Sequence, residues 1–171
     1  MEDFRNNEKS KGRKNIPNWM CGTASIKNNC HLISSLTLEE LRKCESHEKA
    51  TLQSLENLII HELTHCVTKC FIPTQYKETK RWLREALATT LSNQSHTIRF
   101  GQSIDNLYND DFVDYGAFHA IGNYLLNETS KEYIWKLLQN KMFLENEIFS
   151  IYNGTKRYVD QLNIEKIKVF E

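Results

Sequence analysis

Apolar residues recur at spacings of three and four along most of the chain, the pattern of helices with one buried face. The longest such run extends from about Glu48 to Cys70, with Leu52, Leu55, Ile59, Leu63, Cys66, Val67 and Cys70 on one side. Those seven side chains are expected to pack into a core. Pro73 stops the run, because proline has no N–H to give to a helical ladder. A second helix is expected over about Thr79–Asn93, where Trp82, Leu83, Ala86, Leu87, Thr90 and Leu91 share helical spacing. A third is expected over about 112–127. Thr37 with Glu40, and Thr129 with Glu132, have the spacing of capping boxes. They predict a short helix from Leu38 and a fourth longer helix opened by Thr129 and running to about 143. Residues 145–163 read as two short helices broken at Asn153-Gly154, and 94–110 as irregular chain around Gly101. Residues 19–35 instead mix apolar and β-favouring types around the polar pair Asn28-Asn29, which predicts two short strands joined by a turn. Residues 166–171 read as a strand or a trailing end. The fold class is therefore α+β, mostly helical, with a small N-terminal β-sheet.

Composition narrows the picture. The chain has 171 residues, with 22 Lys+Arg against 22 Asp+Glu. That length suits one domain with a substantial core. A balanced charge excludes a general nucleic-acid binder, which needs a basic surplus. No apolar run approaches the roughly 20 residues that span a bilayer, so no membrane partner is expected. Six glycines and two prolines favour helix over a loop-rich β fold. Residues 1–15 read as a flexible charged arm, and 16–171 as the single domain. The N-terminus lacks the apolar stretch of a secretory signal. The five cysteines are odd in number and form no CxxC pair, so no disulfide framework is expected. Together these features point to a cytoplasmic, reducing location and a soluble monomer, with a partner protein left open.

The chemistry concentrates at His61-Glu62-Leu63-Thr64-His65. On a helix, residues four apart lie about 40° apart, so both imidazoles can reach one ion. Glu62 lies about 100° round from His61 and flanks that ion. Two imidazoles at this spacing with an adjacent carboxylate form the zinc-protease pattern HExxH. Read blandly, the same residues are two ordinary helix histidines around a surface glutamate.

A third ligand is available. Nineteen residues separate His65 from Glu85, which falls on the stripe of Trp82, Ala86 and Thr89 in the next predicted helix. A carboxylate on a core-facing stripe is costly unless paired or metal-bound. Its bland reading is an ion pair with Arg81, or plain exposure. Two histidines and one carboxylate leave a position open for water, which marks a catalytic rather than a structural zinc site.

His61-Glu62-Leu63-Thr64-His65 followed by Glu85, within Trp82-Leu83-Arg84-Glu85-Ala86-Leu87-Ala88, resembles the compact gluzincin zinc metallopeptidases with thermolysin-like ligand spacing. The stretch Trp19–Ala24 is similar to the start of their small sheet, whose edge binds extended substrate. Tyr115–Leu125 is similar to the helix after their third ligand. The resemblance implies a minimal zincin domain with Zn2+ held by His61, His65 and Glu85. It also implies peptide-bond hydrolysis of a peptide or protein substrate. Relatives with the thermolysin pattern carry an acidic residue where this chain has Thr89, which can still hydrogen-bond a ligand histidine.

The mechanism so implied has Glu62 as general base toward a metal-activated water. Tyr115 is the first candidate to stabilise the oxyanion, because it opens its helix where relatives often carry a tyrosine; His119 is the second. His31, His47 and His96 belong to no ligand pattern and read as structural or exposed. Two other readings stand beside this one. In a non-catalytic zinc-stabilised domain, Cys66 or Cys70 would complete a closed sphere, yet both lie far round the helix from His61 and read better as buried small hydrophobes. In a metal-free helical interaction domain, the motif is accidental.

Overall fold

The structure is a computed structural model of the chain. It describes residues 6, 8, 9, 21–27, 30–44, 47–94 and 96–168. The described chain is mostly helical with one small sheet, and the single domain expected over 16–171 is organised as two compact units, Met1–Val67 and Thr68–Glu171.

The first unit holds the sheet. Strand β1 (Gly22–Lys27) pairs antiparallel with β2 (Cys30–Ser35), with Gly22 opposite Ser35. The turn expected at Asn28-Asn29 lies outside the described residues. The Leu36 N–H donates to the Cys21 carbonyl at 2.9 Å and closes the open end of the hairpin. Cys21 and Leu36 are both buried, in a small core with Leu41, Cys44 and Ala50. Helix α1 (Leu38–Arg42) starts where the capping box placed it, with Thr37 and Glu40 bonded reciprocally. Within the expected arm, Asn6 and Lys9 are exposed, but Glu8 is fully buried and accepts a hydrogen bond from the Thr23 hydroxyl at 2.9 Å. At Glu8, therefore, the arm is docked onto β1.

Helix α2 (Leu52–Phe71) carries the histidine motif. It begins later than the hydrophobic pattern suggests, because Thr51 and Ser54 exchange side-chain-to-backbone bonds and make Thr51 the cap. A larger correction concerns its faces. Leu52, Ile59, Leu63, Val67 and Cys70 were expected in the core, and all five are exposed. Leu55 is half-buried, and of the seven only Cys66 is buried. The buried residues of α2 are His61, Glu62 and Cys66. Among the described residues of the first unit, Gly22 of β1 faces the buried Glu62 of α2.

The second unit is helical: α3 (Arg81–Leu91), α4 (Ile104–Tyr108), α5 (Tyr115–Glu128), α6 (Lys131–Gln139) and α7 (Lys141–Lys168). Trp82, Leu83 and Leu87 of α3, Phe118, Ile121 and Leu125 of α5, and Leu144, Ile148 and Ile151 of α7 form its core. The buried Trp82 indole N–H donates to the Leu107 carbonyl at 2.8 Å, which ties α4 to α3. Helix α4 lies within the stretch expected to be irregular; Ser103 caps it. Helix α6 is capped by Ser130 rather than Thr129, so the predicted capping box is out of register by one residue.

Helix α7 runs unbroken through Asn153-Gly154, where a break was expected, and its helical residues 166–168 exclude a strand there. Gly154 serves packing instead: a Cβ at this position would collide with the Tyr124 ring of α5. Gly122 plays the same part between α5 and α3, since a Cβ there would strike the Ala86 carbonyl and the Thr90 hydroxyl. The two helices thus approach backbone to backbone beside Glu85.

Candidate metal centre

The motif residues occupy one continuous helix, so their mutual placement follows from helix geometry alone. The Nε2 atoms of His61 and His65 lie 3.1 Å apart, and the rings meet edge to face at 4.8 Å between centroids. Two nitrogens bound to one tetrahedral zinc at ordinary bond lengths are separated by about 3.3 Å. The pair therefore has the separation a shared ion demands. His61 is buried and His65 half-buried.

Glu62 is 7% exposed. That removes the bland reading in which it is a surface glutamate. A carboxylate loses much of its hydration when buried, and needs polar partners to remain there. Gly22 of β1 faces it: a Cβ on Gly22 would lie 3.0 Å from Glu62 Oε1.

Glu85 sits in α3, with its side chain 15% exposed. The Arg81 Nε lies 3.9 Å from Glu85 Oε1, a long contact, and the Arg-before-Glu order is the weaker one on a helix. His61, His65 and Glu85 form a group able to hold a metal ion, each offering one ligand atom within 4.8 Å of the others. Neither Cys66 nor Cys70 joins a group of this kind among the described residues. Cys66 is buried as expected, whereas Cys70 is exposed, contrary to its reading as a buried small residue.

The remaining sequence candidates lie in the second unit. Thr89 is fully buried, and its hydroxyl has no hydrogen-bond partner among the described residues, so the bond to a ligand histidine is not formed. Tyr115 opens α5, with its ring stacked on His96 at 5.3 Å. His119, one turn on, has its Nδ1 2.9 Å from the His96 carbonyl. A carbonyl only accepts, so Nδ1 carries the proton and donates. His96 thus supports both candidates, one with its ring and one with its backbone. No spacing in the sequence signals this, because the partners are 19 and 23 residues away. His47 lies with its Nδ1 4.0 Å from Cys21 Sγ, and burial holds its pKa below the usual imidazole value. The side chain of His31 lies outside the described residues.

No helix among the described residues is long and apolar enough to cross a membrane. A scan against protein-family models finds no match, and neither does a search of curated proteins or of solved structures.

Proposed function

We propose that this chain is a zinc-dependent peptidase of gluzincin type, built on a minimal zincin domain. One observation carries the reading: His61, His65 and Glu85 converge, with the buried Glu62 beside the first of them. An all-nitrogen-and-oxygen donor set of two imidazoles and a carboxylate suits zinc and leaves a position for water. His61, His65 and Glu85 would hold the ion. When bound, zinc lowers the pKa of a coordinated water and polarises a carbonyl.

The protein residues supply the rest. Glu62 takes the proton of the attacking water and delivers it to the leaving amine, a transfer suited to a carboxylate shielded from bulk solvent. A hydrogen-bond donor is needed for the carbonyl oxygen as it gains charge. Tyr115 and His119 are the two candidates. The Tyr115 ring stacks on His96, and the His119 ring is fixed by its Nδ1–H donating to the His96 carbonyl. The substrate is a peptide or an unfolded protein segment.

The test is zinc content and cleavage of a quenched-peptide library. Wild type should bind one zinc and cleave; Glu62→Gln should bind zinc and not cleave; His61→Ala should bind no zinc. A His61→Ala protein that keeps a full equivalent of zinc sinks the assignment.

A further inference from the structure

Glycine is a poor strand residue, having no side chain to pack and more conformational entropy to lose. Its presence at the first position of β1 marks a place where something must come close to the backbone. At Gly22 that something is α2. A Cβ on Gly22 would lie 3.0 Å from Glu62 Oε1, 3.1 Å from Glu62 Cγ and 3.1 Å from Leu58 Cδ1. Leu58 and Glu62 are one helical turn apart on α2, so their side chains are neighbours on one face. The Gly22 α-carbon sits in the notch between them.

Neither the strand nor Leu58 is free to yield. Cys21 and Leu36 are buried on the strand side, and the Leu36 N–H to Cys21 carbonyl bond locks the hairpin at this end. Leu58 packs against the core that contains both residues. The group that must move, if a side chain is added at 22, is the Glu62 carboxylate.

We infer that Gly22 is the positioning residue for Glu62: the bare backbone of β1 at this point sets where the carboxylate stands on α2. The inference rests on the proposed role of Glu62 as base. It adds a residue from another element that neither the motif nor its spacing contains. Displacement of a reacting group by about 1 Å lowers rates by about 100-fold, so a small shove at Glu62 is amplified in turnover.

The experiment uses the full chain with Gly22→Ala, Leu58→Ala, Glu62→Ala, and the doubles Gly22→Ala/Leu58→Ala and Gly22→Ala/Glu62→Ala. Zinc affinity, urea midpoint, kcat and KM are measured. Gly22→Ala should lower kcat by about 10-fold, with KM and zinc affinity within about 3-fold of wild type. Adding Leu58→Ala opens the other side of the notch and should recover most of that loss, relative to Leu58→Ala alone. In the zinc-free chain, Gly22→Ala should lower the urea midpoint less when Glu62 is already alanine.

A kcat unchanged by Gly22→Ala, or a loss that Leu58→Ala fails to relieve, overturns the inference. So does a fall in zinc affinity that parallels the fall in kcat. Absence of the zinc-free coupling in a wild type that cleaves peptide overturns the inference alone. A wild type that cleaves nothing, with the coupling present, overturns the peptidase reading and the catalytic half of the inference with it, and leaves the contact standing.

Discussion

His61 and His65 point their Nε2 atoms at one place, 3.1 Å apart, from successive turns of α2. Two neutral imidazoles at that separation share at most one proton between them, whereas a metal satisfies both lone pairs at once. Zinc should therefore bind the folded chain in preference to the unfolded one. At a free zinc concentration of about 100 times the dissociation constant, the stabilisation is about 2.7 kcal/mol. Urea unfolding with zinc and with a chelator measures it. His65→Ala should abolish the difference, and Glu62→Gln should keep it. An equal zinc effect in His65→Ala would place the ion elsewhere.

The exposed side of α2 gives a prediction that separates sequence pattern from structure. Leu63 lies between the two histidines and is 47% exposed. Were it a core residue, as its spacing suggests, Leu63→Ala would cost about 2–5 kcal/mol. At its observed exposure the cost should stay below about 1 kcal/mol, and Leu63→Gln should be tolerated equally well. Urea denaturation decides between the two ranges.

His47 makes the stability of the first unit depend on pH. Burial lowers its pKa from the ordinary 6.5. Over the pH range between that value and the depressed one, the unfolded chain binds a proton there and the folded chain does not. This contribution to stability is fully present above about pH 6.5 and is lost as pH falls through the lowered value. His47→Gln should flatten that part of the stability–pH curve and leave the region above pH 7 unchanged. A steeper acid limb in the variant would contradict the assignment.

The grouping of His61, His65 and Glu85 was legible in the sequence because their relation is local. Four residues on a helix fix the angle between His61 and His65, and nineteen residues lead to the next helix. The cap at Thr37 was legible for the same reason. What α2 faces was not. Its leucines and its histidines each make a coherent stripe, and only burial in the structure shows which of them is covered. The shift of the α6 cap from Thr129 to Ser130 reflects two adjacent hydroxyl residues with nearly equal capping strength. The Thr129 hydroxyl is instead bonded to the Leu125 carbonyl at the end of α5.

Gly154 is the clearest case of a residue whose meaning depends on a distant partner, and it yields a prediction with a definite sign. In an isolated helix, Gly→Ala stabilises by about 1 kcal/mol. At position 154 the added methyl would meet the Tyr124 ring of α5, inside the core that joins α5 to α7. Overpacking of this kind costs about 1–3 kcal/mol, so Gly154→Ala should destabilise despite its better propensity. Removing the ring should reverse the sign: in a Tyr124→Ala background, the same Gly154→Ala change should stabilise by about the propensity difference. Chemical denaturation of the four proteins closes the cycle. A stabilising Gly154→Ala in the otherwise native chain would mean that α7 does not need the missing side chain, and that the glycine there is incidental to the packing of α5 on α7.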